Sequence, residues 1–234
     1  MKKHIPNAIT CCNLICGCIA TCFAFSGRPA MALLFIVLGA VFDFFDGMTA
    51  RLLGVSSPIG KELDSLADDV TFGVAPSTMI FYELGVMDYP VILEPLRPVL
   101  PYVAFIMAAF SALRLAKFNL DERQAMGFIG LPTPANALFW GALIVGANRW
   151  IEYHLSGLVI IVGVLISCWL LVSEIPMFAL KFKHWGWAEN KLKYIFLITS
   201  ALLLLIFRIP GIAMIIAWYV ILSAFTQKSS KQSS

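Results

Sequence analysis

The chain has 234 residues, of which 60% are hydrophobic and 13% charged, with a formal net charge of +3. Soluble domains average about 25% charged residues, so the composition excludes an ordinary soluble globule. So small a net charge gives no ground for a nucleic-acid partner. Lipid offers no water to satisfy a backbone, and each apolar run of about 20 residues is therefore expected to form a spanning helix.

Eight such runs follow one another, at 8–25, 30–50, 63–84, 100–118, 134–150, 155–180, 192–207 and 212–225. The predicted fold class is an all-α integral membrane protein with about eight transmembrane helices, one polytopic catalytic domain over 1–226 and a disordered cytoplasmic tail over 227–234. The first run follows basic Lys2 and Lys3, as a leader would, but Asn7, Thr10 and Asn13 interrupt it, so it reads as a retained helix. It also carries Cys11, Cys12, Cys16, Cys18 and Cys22, which read as small residues that let helices approach, not as a disulfide framework.

The second and third runs carry the chemical signal. Six of the fourteen acidic residues fall between Asp43 and Asp69. An aspartate at the bilayer centre costs about 2.5–3.5 kcal/mol on insertion scales, and Arg51 and Lys61 are too few to compensate them. Asp43, Asp46, Gly47 and Ala50 share one helical face, as do Gly60, Asp64 and Asp68. The short connection over 52–59 should bring the two faces together. Hard oxygen ligands on both faces suit Mg²⁺ or Mn²⁺, and two ions about 3.5–4 Å apart would clamp a phosphoryl displacement. Glu62 and Asp69 fall off these faces and are expected to meet cytoplasmic water. A proton or cation transporter is the competing reading, but the acids gather at one end and form no ladder across the chain.

Farther along, the loop over 85–99 is Pro-containing, and the loop over 119–133 has Gly127, Gly130 and Pro132 of a shaped turn. Arg114 and Lys117 end the fourth run, and Arg114 has the fork to hold a phosphate or carboxylate. Asn119 and Thr133 are candidate polar partners for it. Glu174, beside Pro176, reads as structural, and His4, His154 and His184 form no ligand set. With the N-terminus inside, the cytoplasmic segments collect 13 of the 17 Lys and Arg residues. Both termini are thus predicted to be cytoplasmic, the acidic faces too. The basic rims suit anionic lipid head groups.

The string Asp43-x-x-Asp46-Gly47-x-x-Ala50-Arg51, eight residues, Gly60-x-x-x-Asp64-x-x-x-Asp68 resembles the complete signature of the CDP-alcohol phosphatidyltransferases. That resemblance implies transfer of a phosphatidyl group from CDP-diacylglycerol to an alcohol. It implies Asp43, Asp46 and Asp64 as metal ligands, and Asp68 as both ligand and general base. Asn7, Thr10, Gly47, Ala50, Arg51 and Gly60 would shape or contact the CDP moiety. Three further segments resemble the membrane-embedded phosphatidylserine synthases within that family. They are Pro6-Asn7-x-x-Thr10-x-x-Asn13-Leu14, Ser111-x-x-Arg114 through Asn119, and Gly130-Leu131-Pro132-Thr133-Pro134. The implied acceptor is L-serine, with Arg114, Asn119 and Thr133 around it; a sister enzyme using glycerol 3-phosphate remains the alternative. The resemblance also suggests a homodimer and a place in the cytoplasmic (inner) membrane of a prokaryote.

Overall fold

The structure, a computed structural model, describes residues 4–55, 57–121, 128–147, 156–177 and 186–231. Gly127, Arg123, Arg149, His154, Lys181, Lys183 and His184 lie outside these residues, as do the expected ends of the fifth and sixth spans.

Helix α1 (His4–Phe25) buries Thr10, Asn13, Gly17, Ala20 and Ala24 along one stripe. This stripe packs most extensively on α2 (Pro29–Leu53), across a turn made by Gly27 at φ 64°. A second left-handed glycine, Gly54 at φ 61°, stops α2, its N–H turned back to the carbonyls of Ala50 and Arg51. Ser57 then opens α3 (Pro58–Asp68): its Oγ accepts the Gly60 N–H at 3.0 Å, and Pro58 takes the first turn, where no N–H is needed.

The third span starts at Pro58, five residues before the expected start, because Ser57 and Pro58 form the helix start. It runs through a π-helical turn (Asp69–Val74) into α4 (Ala75–Val86). Pro76 lacks the N–H that Phe72 would have received four residues back, and the widened turn lies just ahead of it. Helix α4 is the centre of the bundle, with Ser77, Thr78, Met79, Ile80 and Leu84 buried together. Glu83 is also buried, near the far end of α4.

After an outer loop with two 3-10 turns, α5 (Ala104–Leu120) and α6 (Thr133–Ala147) complete the inner bundle. The core joins Ile36, Phe72, Met79, Met107, Trp140 and Leu171. Trp140 keeps its polar edge satisfied by donating from Nε1 to Ser167 Oγ at 2.9 Å. Helix α7 (Ser156–Val172) is shorter than the expected sixth span, which reached 180. Past Val172 the chain leaves the helix and pairs antiparallel with the segment before α6, Phe128 opposite Met177 and Ile129 opposite Pro176. The Leu131 N–H donates to the Leu170 carbonyl and the Gly130 N–H to that of Ile175, each at 2.9 Å. The Leu131 donor takes a carbonyl in the last turn of α7, the Gly130 donor one just beyond it, and Pro176 provides no N–H to extend the helix.

Helix α8 (Trp187–Phe207) bends at Asn190, where φ is −117°, and reverses at Arg208 into α9 (Ile209–Lys231). The seventh and eighth spans therefore both start before the expected positions, and α9 continues past Gln227 to Lys231. Four of the described helices are long and apolar enough to cross a membrane alone: His4–Phe25, Pro29–Leu53, Leu100–Leu120 and Asn190–Phe207. Thr133–Gly146, Gly157–Val172 and Ile209–Phe225 are shorter apolar helices. The two-residue pairing aside, the described protein is an all-α membrane fold.

Candidate active site

The acidic stripes of α2 and α3 meet through their side chains, not through their helices. Helix α3 packs on α1, so α1 lies against both acidic helices and supplies polar groups to each. One carboxylate oxygen from each of Asp43, Asp64 and Asp68 lies within 4.8 Å of the others. Asp46, one turn farther along α2, is 6% exposed, and its Oδ2 accepts the Thr10 hydroxyl at 2.6 Å. Asp68 is 8% exposed, and its Oδ1 accepts from Asn13 Nδ2 at 3.0 Å. A close approach makes the second contact possible: a Cβ on Gly39 would stand 2.9 Å from Asn13 Oδ1.

Among the described residues no Lys or Arg forms an ion pair with these four aspartates. Part-buried carboxylates without a cation are costly. Three of them offering converging hard oxygens make a donor set that fits Mg²⁺ or Mn²⁺.

Beside the carboxylates opens a cavity of about 290 Å³, lined by Asn7, Thr10, Asp46, Gly47, Ala50, Gly60 and Asp64. Gly47 and Gly60 serve it differently. A Cβ on Gly60 would press on Ser57 Oγ at 3.0 Å and Asn7 Oδ1 at 3.1 Å. A Cβ on Gly47 would meet no protein atom within 4 Å, so its bare face opens onto the cavity. Arg51 does not line the cavity and is exposed near the end of α2. The sequence reading missed Pro6, Val55, Ser57 and Lys61 as lining residues. Ser57, three residues before Gly60 and followed by Pro58, was legible as a helix cap; Lys61 carried no signal beyond its charge.

The residues expected around the acceptor separate. Arg114 is buried at 7% exposure, its guanidinium 5.1 Å over the Phe118 ring and within electrostatic range of Asp68. Its Nε has no hydrogen-bond partner, nor has the Oγ1 of fully buried Thr133. Asn119 is engaged elsewhere: Nδ2 donates to Ser65 Oγ at 2.7 Å, and its carbonyl accepts from Lys61 Nζ at 2.8 Å. It ties α5 to α3. Glu62 is exposed, as expected. Asp69 is only half-buried, but its Oδ1 is turned from water and buried without a partner. The helical step from Asp68 carries this carboxylate toward α5, where a Cβ on Gly73 would lie 2.6 Å from Asp69 Oδ1 and 3.0 Å from Ser111 Cβ.

Comparison with known proteins agrees with this arrangement. Residues 3–225 match the CDP-alcohol phosphatidyltransferase family. The CDP-diacylglycerol–serine O-phosphatidyltransferase of Bacillus subtilis (strain 168) is 36% identical over 186 residues, 78% of this chain and 91% of that one. The enzyme of the same name from Methanocaldococcus jannaschii is 33% identical over 215 residues, 91% of this chain and 88% of its own. That of Mycobacterium leprae is 32% identical over 185 residues, where the match spans 74% of this chain and 57% of the longer relative. A three-carboxylate cluster beside a glycine-walled cavity, on helices matched almost end to end, places the chain in the CDP-alcohol phosphatidyltransferase family.

Proposed function

We propose that the protein transfers the phosphatidyl group of CDP-diacylglycerol to the hydroxyl of L-serine, giving phosphatidylserine and CMP. The observation that carries this reading is the convergence of Asp43, Asp64 and Asp68 within 4.8 Å beside the cavity. The serine part draws on the relatives, whose names state that acceptor.

The nucleotide enters the cavity between α1, α2 and α3, its cytidine side facing Asn7, Gly47, Ala50 and Gly60. Lys61 on the cavity wall brings positive charge to the phosphates. The acyl chains stay in lipid. Divalent cations, two Mg²⁺ or Mn²⁺ ions held by Asp43, Asp46, Asp64 and Asp68, would neutralise the pyrophosphate. Asp68, oriented by Asn13, takes the proton of the serine hydroxyl. The freed oxygen attacks the β-phosphorus, the bond from that phosphorus to the CMP oxygen breaks, and CMP departs with the electron pair. Thr10 holds Asp46 in place throughout. Arg114 and Thr133 form the acceptor wall. Positioning and electrostatics supply most of the rate. The distribution of Lys and Arg supports a site that faces the cytoplasm, and the prokaryotic relatives support the inner membrane as its place.

The test is an assay of purified protein with CDP-diacylglycerol, labelled alcohols and Mn²⁺ or Mg²⁺. Phosphatidylserine and CMP are the expected products. Product from glycerol 3-phosphate with none from serine would sink the serine assignment.

A further inference from the structure

The carboxylates of the cavity account for the nucleotide side of the reaction but leave a second polar centre, of which only Arg114 has so far been given a role. It lies where the π turn at Asp69–Val74 packs against α5 and α6. On α5, Ser111 is fully buried and its Oγ has no partner. One helical turn on, Arg114 is buried with Nε unpartnered and forms no ion pair among the described residues. Beside Ser111, Asp69 presents a buried, unpartnered Oδ1. Its carboxylate and Ser111 flank the same bare Gly73, at 2.6 and 3.0 Å from where a Cβ would stand.

A buried carboxylate oxygen and a buried guanidinium Nε that no protein group satisfies are each costly, and Arg114 meets only the charge of Asp68 at range. On two packed elements the ordinary outcome is a salt bridge between them, and here none forms. What satisfies both is a molecule that carries both charges. A metal ion would leave Arg114 unserved, and a phosphate would be repelled by Asp69. The π turn strengthens the case, since such widened turns recur at functional sites.

We propose that Asp69 receives the ammonium group, and Arg114 the carboxylate, of a zwitterionic amino-acid acceptor, with Ser111 hydrogen-bonding between them. This rests on the amino-acid acceptor reading above and names the groups that read it. Arg114 lies within electrostatic range of Asp68, so an acceptor anchored by its carboxylate at Arg114 stands near the base. Asp69 also selects by repulsion: a dianionic head such as that of glycerol 3-phosphate meets its negative charge.

The test uses the purified full-length protein with CDP-diacylglycerol, Mn²⁺ and four acceptors: L-serine, 3-hydroxypropanoate (no ammonium), ethanolamine (no carboxylate) and glycerol 3-phosphate. The wild-type protein should prefer serine over both truncated analogues. Asp69→Asn should raise the serine KM by about 10-fold or more, the worth of one charge-assisted hydrogen bond. It should leave the KM for CDP-diacylglycerol in place and remove most of the preference for serine over 3-hydroxypropanoate. An unchanged serine KM in that variant, or equal rises in both KM values, overturns the role of Asp69. Should the variant not fold, equal wild-type use of serine and 3-hydroxypropanoate overturns it as well. Wild-type turnover of glycerol 3-phosphate without serine overturns the acceptor reading itself, an outcome distinct from serine turnover that Asp69→Asn leaves untouched.

Discussion

Asn13 of α1 donates its Nδ2 to Oδ1 of Asp68 at 3.0 Å, with both side chains buried. The carboxylate with the role of base is thus aimed by a residue on a helix that carries none of the four aspartates. Replacing Asn13 by Ala should lower kcat by about 10- to 100-fold, the equivalent of a hydrogen bond to a charged group. The KM for CDP-diacylglycerol should change little. Steady-state kinetics on a variant with a normal melting temperature check this, and an unaltered kcat would remove Asn13 from the machinery.

Gly47 and Gly39 make a controlled pair on α2. A Cβ on Gly47 meets no protein atom, whereas one on Gly39 meets Asn13 Oδ1 at 2.9 Å. Gly47→Ala should keep or gain stability, by up to about 1 kcal/mol from helix propensity, while transferase activity falls by about 100-fold because the substrate is displaced. Gly39→Ala should lower stability by about 1–3 kcal/mol through overpacking. Thermal unfolding alongside activity separates the two.

Metal removal is the third test. Chelation should abolish CMP formation, and adding Mn²⁺ or Mg²⁺ should restore it. Asp64→Asn removes one of the three converging ligands and should weaken Mn²⁺ binding by about 10-fold or more. Electron paramagnetic resonance of free Mn²⁺ reads this without relying on turnover. Undiminished Mn²⁺ affinity in that variant would count against the cluster as the metal site.

Asn119 bridges Ser65 and Lys61 on α3 from the end of α5. Asn119→Ala removes the side-chain bond to Ser65 and keeps the backbone bond to Lys61, and the loosened hold on α3 should act on both substrates. Asn119→Ala should lower the melting temperature, at a cost of about 1 kcal/mol, and raise the two KM values together. A rise confined to serine would instead make Asn119 an acceptor ligand.

Gly130 holds φ 75°, and a Cβ there would stand 2.8 Å from the Leu171 carbonyl oxygen. Gly130→Ala should cost about 1–3 kcal/mol, from strain and from the lost fit against the end of α7. Thermal or denaturant unfolding in detergent measures it.

The sequence by itself determined the membrane class, most of the eight spans and the two acidic stripes. Those properties are local: hydropathy accumulates along the chain, and a helix places residues three or four apart on one face. It also pointed to Gly47 and Gly60, because glycine beside charged ligands signals close approach, and the structure sets both on the cavity wall. Only the tertiary structure decided which side chains complete the site. The interposition of α1, which gives Thr10 to Asp46 and Asn13 to Asp68, depends on packing between segments 36 and 55 residues apart. The end of α7 at Val172 was equally hidden, because Leu131 from a distant loop takes a carbonyl of its last turn and Gly130 one just past it. Asp69 is the clearest case. One helical step from Asp68 predicted water, but what lies at that step is fixed by the neighbouring helix, and the packing of α5 put Ser111 and a buried, unpaired carboxylate oxygen there instead.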